Sequence, residues 1–390
     1  MIENKFILLV HDHYNPLGMV RSLGEKNINP IVILVSEKKP YLVNKSKYIS
    51  KLHYVSTLEE GYKLLLDYYG NEKLKPFIYA GNDGFESFLD MHFDELTDKF
   101  YFWNGGKQGR ITELMEKQAQ CELAEKCGFD VPRLEKIKVG DLPKGLEYPV
   151  ITKSSNSLRL GWKDQIFICN TEEDLKNVFP KMKDEEILVQ EFIKKKNELC
   201  IDGLCVNNGT ELYVPLQSLY YRIPDGDYGQ YFYFEPIKDK LFREKLEKLF
   251  AATGYSGIFS IEFLVGQDGH LFFQEINFRN STWSYAMTKC GANLCYIYAK
   301  SILVGKLDKS SENISSKMPY SAMDEIAEFF NNVPTRKMSL GEYYREVKNS
   351  DCFLYFNKED NAPFRSYIWH NVKNVLNIPK LVKFLLKQKK

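Results

Sequence analysis

Two carboxylates and an amide stand out for their spacing. The run Ile258-Phe259-Ser260-Ile261-Glu262-Phe263-Leu264-Val265 alternates as a strand does, and so does His270-Leu271-Phe272-Phe273-Gln274-Glu275-Ile276-Asn277. Asp268-Gly269 between them is a preferred two-residue hairpin turn. With those residues as the turn, Glu262 falls directly opposite Glu275 and Ser260 opposite Asn277. Glu275 and Asn277 are two apart and share a face. Opposed carboxylates repel, so this face needs a compensating cation. Hard oxygen donors of this kind suit Mg2+, which completes its octahedron with phosphate oxygens and water. A neighbouring Lys or Arg, or a solvated face, would also answer the repulsion. The hairpin alone leaves these readings open.

The elements upstream alternate. Residues 5–10 read as a buried strand, followed by the loop His11-Asp12-His13-Tyr14-Asn15-Pro16 and a helix through Gly18–Gly24. Ile31–Val35 and Phe77–Ala80 are further buried strands, the last ending at Gly81-Asn82-Asp83-Gly84. Strand, helix and strand in alternation predict a parallel sheet with crossover helices. Ligands of such sheets sit beyond the carboxyl ends of the strands. That edge carries His11, Asn15 and Asp83, which are candidates for substrate contact; the alternative for each is a structural role. No G-x-G-x-x-G is present, so a bound dinucleotide is not supported.

Residues 112–127 have helical composition and stop at Gly128 and Pro132. The strand Val150–Lys153 leads into a small polar loop, 154–161. A strand at 166–168, a helix at 172–180 and a strand at 187–190 complete an α+β unit. Residues 199–206 and 211–220 read as antiparallel strands, 240–253 as a helix ending at Gly254, and 284–304 as helical. Residues 306–390 carry no readable motif.

In order and spacing, these features resemble the ATP-grasp family. Glu262, Glu275 and Asn277 are similar to its metal-binding signature. Glu275-Ile276-Asn277-Phe278-Arg279 resembles the E-x-N-P-R stretch of carbamoyl phosphate synthetase and D-aspartate ligase, with Phe278 where proline is usual. Met115-Glu116-Lys117 resembles the segment bearing the first ATP lysine, and Tyr148–Lys153 the strand bearing the second. The loop with Ser155 and Ser157 resembles the phosphate loop, although it is serine-rich rather than glycine-rich. Val189-Gln190-Glu191-Phe192-Ile193 resembles the strand whose backbone reads adenine, which implicates Gln190, Glu191 and Ile193. Glu198 resembles the ribose carboxylate. Arg222 sits where the family often has a loop over the phosphates, and Arg279 is expected to reach toward the γ-phosphate. The resemblance spans roughly residues 5–305.

The fold so implied is α/β and α+β, an ATP-grasp fold in four parts. These are a Rossmann-like N-terminal domain (1–112), a small lid (113–195), a larger antiparallel-sheet subdomain (196–305) and a C-terminal appendage (306–390). ATP is expected between lid and larger subdomain, with Mg2+ as two ions. The activity implied is carboxylate–amine ligation through an acyl phosphate, on small-molecule substrates and often as a homodimer. A small-molecule kinase on the same scaffold, or a non-catalytic nucleotide-binding module, are the alternatives.

Composition bounds the rest. A chain of 390 residues suggests roughly two to four packed units. Apolar residues at 44% and charged residues at 27% are ordinary for a folded domain protein. A net charge of +1 offers no field to steer nucleic acid onto the whole molecule. Lys194–Lys196 and the stretch Lys380–Lys390 are local basic clusters that read as solvated faces. The eight cysteines show neither C-x-x-C pairs nor zinc spacing, as expected of reduced thiols in a cytoplasmic protein. No apolar run reaches the length of a signal peptide core or a transmembrane span.

Overall fold

The computed structural model describes residues 2–154, 165–223 and 229–376. Ser155 and Ser157 lie outside them. Three sheets organise the chain. In the first, the strands Lys51–Val55, Ile31–Val35, Phe6–Val10 and Phe77–Ala80 lie side by side in that order, all parallel. Every residue of Phe6–Val10 is buried, as a strand covered on both faces must be. Its carboxyl edge opens on the helix Tyr14–Gly24, whose N-cap His13 accepts from the Asn15 N–H.

The second sheet is antiparallel, in the order Leu134–Lys138, Glu186–Glu191, Val150–Ser154 and Ile168–Cys169. The helix Glu172–Val178 packs Leu175 and Val178 onto its inner face with Ile137, Val150 and Ile187. A capping box of Thr171 and Asp174 starts that helix.

The third and largest sheet runs Leu271–Asn277, Gly257–Gly266, Lys195–Val206, Leu216–Tyr220, Tyr231–Pro236, Tyr320–Met323 and Cys352–Phe353, with Glu211–Tyr213 paired beside Lys195–Val206. Residues from the 306–390 segment therefore supply two of its strands.

Three expected elements are interrupted. The helix over 112–127 is two, Arg110–Leu114 and Lys117–Lys126, parted by Glu116 with extended backbone. The break lets Ile111 and Leu114 bury on one side and Gln120, Cys121 and Ala124 on the next. Glu is a good helix former, so composition does not mark it. The helix over 284–304 divides into Ser284–Cys290 and Leu294–Val304 at Gly291, φ +110°, where a Cβ would lie 1.8 Å from the Asn313 carbonyl oxygen. The strand over 211–220 breaks between Tyr213 and Leu216.

One buried ion pair ties the ends of the chain together. Arg21, fully buried, donates from Nε to Asp360 Oδ2 at 3.0 Å, from Nη1 to the Leu354 carbonyl at 3.1 Å, and from Nη2 to the Tyr355 and Asp360 carbonyls at 2.9 Å each. Asp360 also accepts from Ser46 Oγ at 2.8 Å and the Lys47 N–H at 2.9 Å. Such a pair is costly to break, because removing one partner leaves a buried charge. Arg21→Ala or Asp360→Ala should each destabilise the protein by about 3–5 kcal/mol in denaturant unfolding. Arg21→Met combined with Asp360→Leu should cost clearly less than the two alanines summed. Additive losses would show that the pair is not coupled.

Candidate active site

The hairpin places Glu262 opposite Glu275 and Ser260 opposite Asn277. This is the register expected from Asp268-Gly269, but the chain reaches it through two cancelling departures. Next to the turn, Val265 pairs Leu271 and Phe263 pairs Phe273, one position off. The loop has three residues: the Gly266 N–H bonds the His270 carbonyl at 2.8 Å, and Gly269 takes φ +87°. A bulge that leaves Gln274 unpaired then restores the register at Glu275.

Asn277 sits between the carboxylates. Its Nδ2 donates to Glu262 Oε1 at 3.2 Å and Glu275 Oε1 at 3.4 Å, and its Oδ1 accepts from Arg279 Nη2 at 3.1 Å. Lys117 Nζ, in the first turn of its helix, is 3.7 Å from Glu275 Oε2. Burial pushes the Glu262 carboxyl well above the usual carboxylate range, and the charges of Glu275 and Glu198 add to this while Arg279 opposes it. Lys153, on the strand Val150–Ser154, is pushed down to about 8, first by burial and then by the like charge of Lys117, against the pull of Glu275. The site thus holds two acids that resist ionising together and two lysines that resist being charged together.

This donor set fits Mg2+, with carboxylate and amide oxygens of hard character and a charge deficit a cation would relieve. Among the described residues no group of three or more His, Cys, Asp or Glu is placed to hold a metal. A cation here would complete its shell with Asn277, phosphate or water. The adjoining cavity is lined by Asp83, Lys117, Gln120, Glu275, Asn277 and Arg279.

The other expected nucleotide residues fall on the sheets that flank the hairpin. Gln190 and Glu191 pair with Ile151 and Val150, beside Lys153. Glu191 Oε2 lies 3.5 Å from Arg133 Nε. Ile193 lies in the connection to the strand Lys195–Val206. Glu198 is buried on that strand, pairs in register with Leu264, and bonds Lys195 Nζ at 2.7 Å. Arg222 does not join this cluster. Its guanidinium grips Glu346 with both Nη atoms, at 2.5 and 2.7 Å, and also bonds Glu328.

The edge of the parallel sheet meets the hairpin at Arg279 and Asn280. Arg279 Nε donates to Asp83 Oδ1 at 2.9 Å. Asn15 donates to the Asn280 carbonyl at 2.9 Å, and Asn280 returns a bond to Asn15 Oδ1 at 2.6 Å. His11 bonds Asn82 at 3.2 Å and stacks on His13 with ring centroids 5.3 Å apart. Burial lowers both imidazoles, His13 to about 4 with help from His11 and Arg279. Burial thus favours the neutral form of both rings.

Two supporting residues escaped sequence reasoning. Gln120, buried, donates to the Ile276 carbonyl at 2.9 Å and accepts its N–H at 2.7 Å, pinning the free edge of the hairpin. The sequence signal was a glutamine on the buried stripe of a helix. Asp202, buried, accepts from Ser284 Oγ at 3.3 Å and is pushed up to about 6 by burial. A lone acid in an apolar strand was its only mark.

Residues 133–212 match the RimK-like ATP-grasp domain family. The N5-carboxyaminoimidazole ribonucleotide synthase of Staphylococcus aureus (strain COL) is 23% identical over 220 residues, which cover 53% of this chain and 55% of that protein. The chain thus spans about half the length of the curated relatives it matches. Among solved structures, the L-amino acid ligase from Bacillus licheniformis aligns with TM-score 0.60 and 13% identity, over 78% of this chain and 75% of that one. A carboxyaminoimidazole ribonucleotide synthase from Aspergillus clavatus complexed with ATP aligns with TM-score 0.61 and 15% identity, over 80% of each chain.

Two outcomes follow from the charges of the site. Glu275→Gln keeps the shape and relieves the opposed carboxylates, so metal-free stability should hold or rise, by up to about 1 kcal/mol. The extra thermal stability conferred by Mg·ATP should disappear. A clear fall in metal-free stability would identify Glu275 as a structural counterion of Lys117. For Lys153, the folded value of about 8 lies below the ordinary 10.5, so between them the unfolded chain binds more protons. Stability should rise with pH across that window. Nucleotide phosphates bound at Lys153 would favour the charged lysine, so binding there should take up a proton above about pH 8. Affinity should then fall from pH 8 toward 10, as calorimetry in buffers of different ionisation enthalpy would reveal. Proton uptake unchanged in Lys153→Met would assign it elsewhere.

Proposed function

We propose that this chain, which carries the ATP-grasp fold, is an ATP-dependent ligase that activates a carboxylate as an acyl phosphate and joins it to an amine. The observation that carries this reading is the reach of Arg279. One guanidinium touches Asn277 of the hairpin and Asp83 at the edge of the parallel sheet. In this reading a phosphate site and a second-substrate surface adjoin there. Likeness in fold to an L-amino acid ligase and in sequence to an N5-carboxyaminoimidazole ribonucleotide synthase supports a ligase on this scaffold.

In this reading Glu262, Glu275 and Asn277 hold Mg2+, which supplies charge neutralisation at the phosphates. Lys117 and Lys153 bind phosphate oxygens, with Ser155 and Ser157 as further donors. Gln190, Glu191 and Ile193 line the adenine and Glu198 the ribose. A substrate carboxylate oxygen attacks the γ-phosphorus and breaks its bond to the ADP oxygen. The amine nitrogen then attacks the acyl carbon, phosphate leaves with the C–O bonding pair, and the nitrogen loses a proton. His11, bonded to Asn82 and held toward its neutral form by burial, would accept it. Arg279 presents a planar fork to the transferring phosphoryl group. Arg222 would have to leave Glu346 and Glu328 to serve over the phosphates, and we do not include it. Two Mg2+ ions, a homodimer and a cytoplasmic setting belong to the same reading.

An ADP-release screen of carboxylates against amines tests it. Release should require both an acid and an amine, with amide as product. ADP release with an acid or alcohol alone, and a stable phosphorylated product, would replace the ligase with a kinase. No release from any pool would leave a nucleotide-binding module. Once a substrate pair is known, Arg279→Lys should lower turnover by roughly 10²–10³, as when one preorganised donor is lost, with much less change in Mg·ATP affinity. Equal losses in both would refute the transition-state role.

A further inference from the structure

The outer strand of the hairpin, Leu271–Asn277, is the edge of the largest sheet. Backbone groups on such an edge need partners from elsewhere. Here the helix Lys117–Lys126 and the segment after it supply them. The Phe273 N–H bonds the Asp130 carbonyl at 2.8 Å. At Ile276 the partner is a side chain, because Gln120 donates to its carbonyl at 2.9 Å and accepts its N–H at 2.7 Å. Two residues of neighbouring antiparallel strands exchange the same pair of bonds. A primary amide can make both, since it carries one carbonyl and an N–H donor side by side. Gln120 is 3% exposed, which shields the two bonds from water.

The place of these bonds matters more than their number. Ile276 stands between Glu275 and Asn277. Its N–H belongs to the peptide that joins it to Glu275, and its carbonyl to the peptide that joins it to Asn277. Peptides are planar, so one amide holds both planes and with them the directions in which Glu275 and Asn277 leave the strand. On its own helix Gln120 lies three residues after Lys117 and shares its face. Lys117 Nζ in turn lies 3.7 Å from Glu275 Oε2. Lys117, Gln120, Glu275 and Asn277 all line the same cavity. The lysine helix is anchored away from the hairpin. It follows the short helix Arg110–Leu114, where Thr112 gives both its N–H and its hydroxyl to Asp90 at 2.8 Å. Asp90 ends the helix Asp83–Asp90, whose first residue bonds Arg279. Lys117 is thus carried by elements tied to the first domain and Glu275 by the large sheet, and Gln120 joins the two.

We propose that Gln120 is a positioning residue that sets the register of the lysine helix on the outer strand, so that the groups for phosphate and for metal are placed as one unit. It acts through the Ile276 backbone. The inference rests on the assignment of Glu262, Glu275 and Asn277 to Mg2+ and of Lys117 to phosphate. Groups that orient metal ligands from behind are worth about 10- to 100-fold in metal affinity. A glutamine that served folding alone would leave the folded protein's affinity for Mg2+-nucleotide untouched.

The test is calorimetry of the full chain with AMP-PNP, a non-hydrolysable ATP analogue, in Mg2+ and in EDTA. Gln120→Met keeps the length and the burial but removes both bonds. It should weaken binding in Mg2+ by about 10- to 100-fold, and binding in EDTA by much less. Gln120→Asn keeps an amide that is one methylene short and cannot meet both groups of Ile276. It should show the same pattern, and it serves where the methionine variant folds poorly. In a Lys117→Met background the loss caused by Gln120→Met should shrink, because part of what Gln120 positions is gone. Three results would each overturn the proposal: wild-type affinity for Mg2+ and AMP-PNP in the folded Gln120 variants, equal losses in Mg2+ and in EDTA, or losses that simply multiply in the double variant. An unaltered chain that binds AMP-PNP no better in Mg2+ than in EDTA would overturn the metal assignment itself, and this inference with it.

Discussion

Glu262 and Glu275 face one another across a hairpin whose opposite side is core. Ile261, Phe263, Phe273 and Ile276 are buried on that side, so the carboxylates cannot part without exposing apolar surface. A slip of one residue would exchange the two faces entirely. The repulsion is therefore built in, and neighbouring groups are arranged around it. Asn277 donates to both acids, and Lys117 stands beside Glu275. Yet Lys117 also depresses Lys153. Acids and lysines are each too close to their own kind, and a metal–polyphosphate complex offers a cation to the first pair and anions to the second.

The strand end beyond Asn277 is the seam of the molecule. Resemblance to the E-x-N-P-R stretch makes Phe278 a departure, since proline would stiffen the backbone there. Packing supplies the stiffness instead. Phe278 is fully buried, its ring meets Tyr255 edge-on at 5.0 Å, and its carbonyl accepts the Tyr255 hydroxyl at 3.0 Å. Arg279 and Asn280 then face the first domain at fixed angles and meet Asp83 and Asn15. The far end of the chain is held in the same manner, by Arg21 and Asp360. Both junctions use a guanidinium, whose planar set of donors fixes direction as well as charge.

Much of this was legible in the sequence because it rests on local rules. Alternation of side chains puts Glu262 and Glu275 on one face. The opposition expected from a two-residue turn at Asp268-Gly269 is reached only because a bulge offsets a three-residue loop. Buried runs such as Phe6–Val10 mark parallel strands. The bulge at Gln274 was not legible, since it offsets a longer loop and leaves the pairing of the acids unchanged. The break at Glu116 was hidden because each half is good helix sequence. Arg222 shows the limit of position in the chain as a guide: a basic residue in the expected place pairs with Glu346 and Glu328, from a region that carries no motif.

The sequence by itself determined two paired strands with Glu262 and Glu275 on one face, the strand that carries Lys153, and the sheet edge that offers His11, Asn15 and Asp83. These depend on side-chain period and on turn residues a few positions apart. Only the tertiary structure decided that Asp83 meets Arg279, that Gln120 pins Ile276, and that Arg21 closes on Asp360, contacts between residues 196, 156 and 339 positions apart. The chain offers 52 acidic residues to its arginines, and no local pattern says which will be chosen. The choice is made when the apolar faces of the sheets pack, because burying a guanidinium is tolerable only where a carboxylate and enough carbonyls already converge.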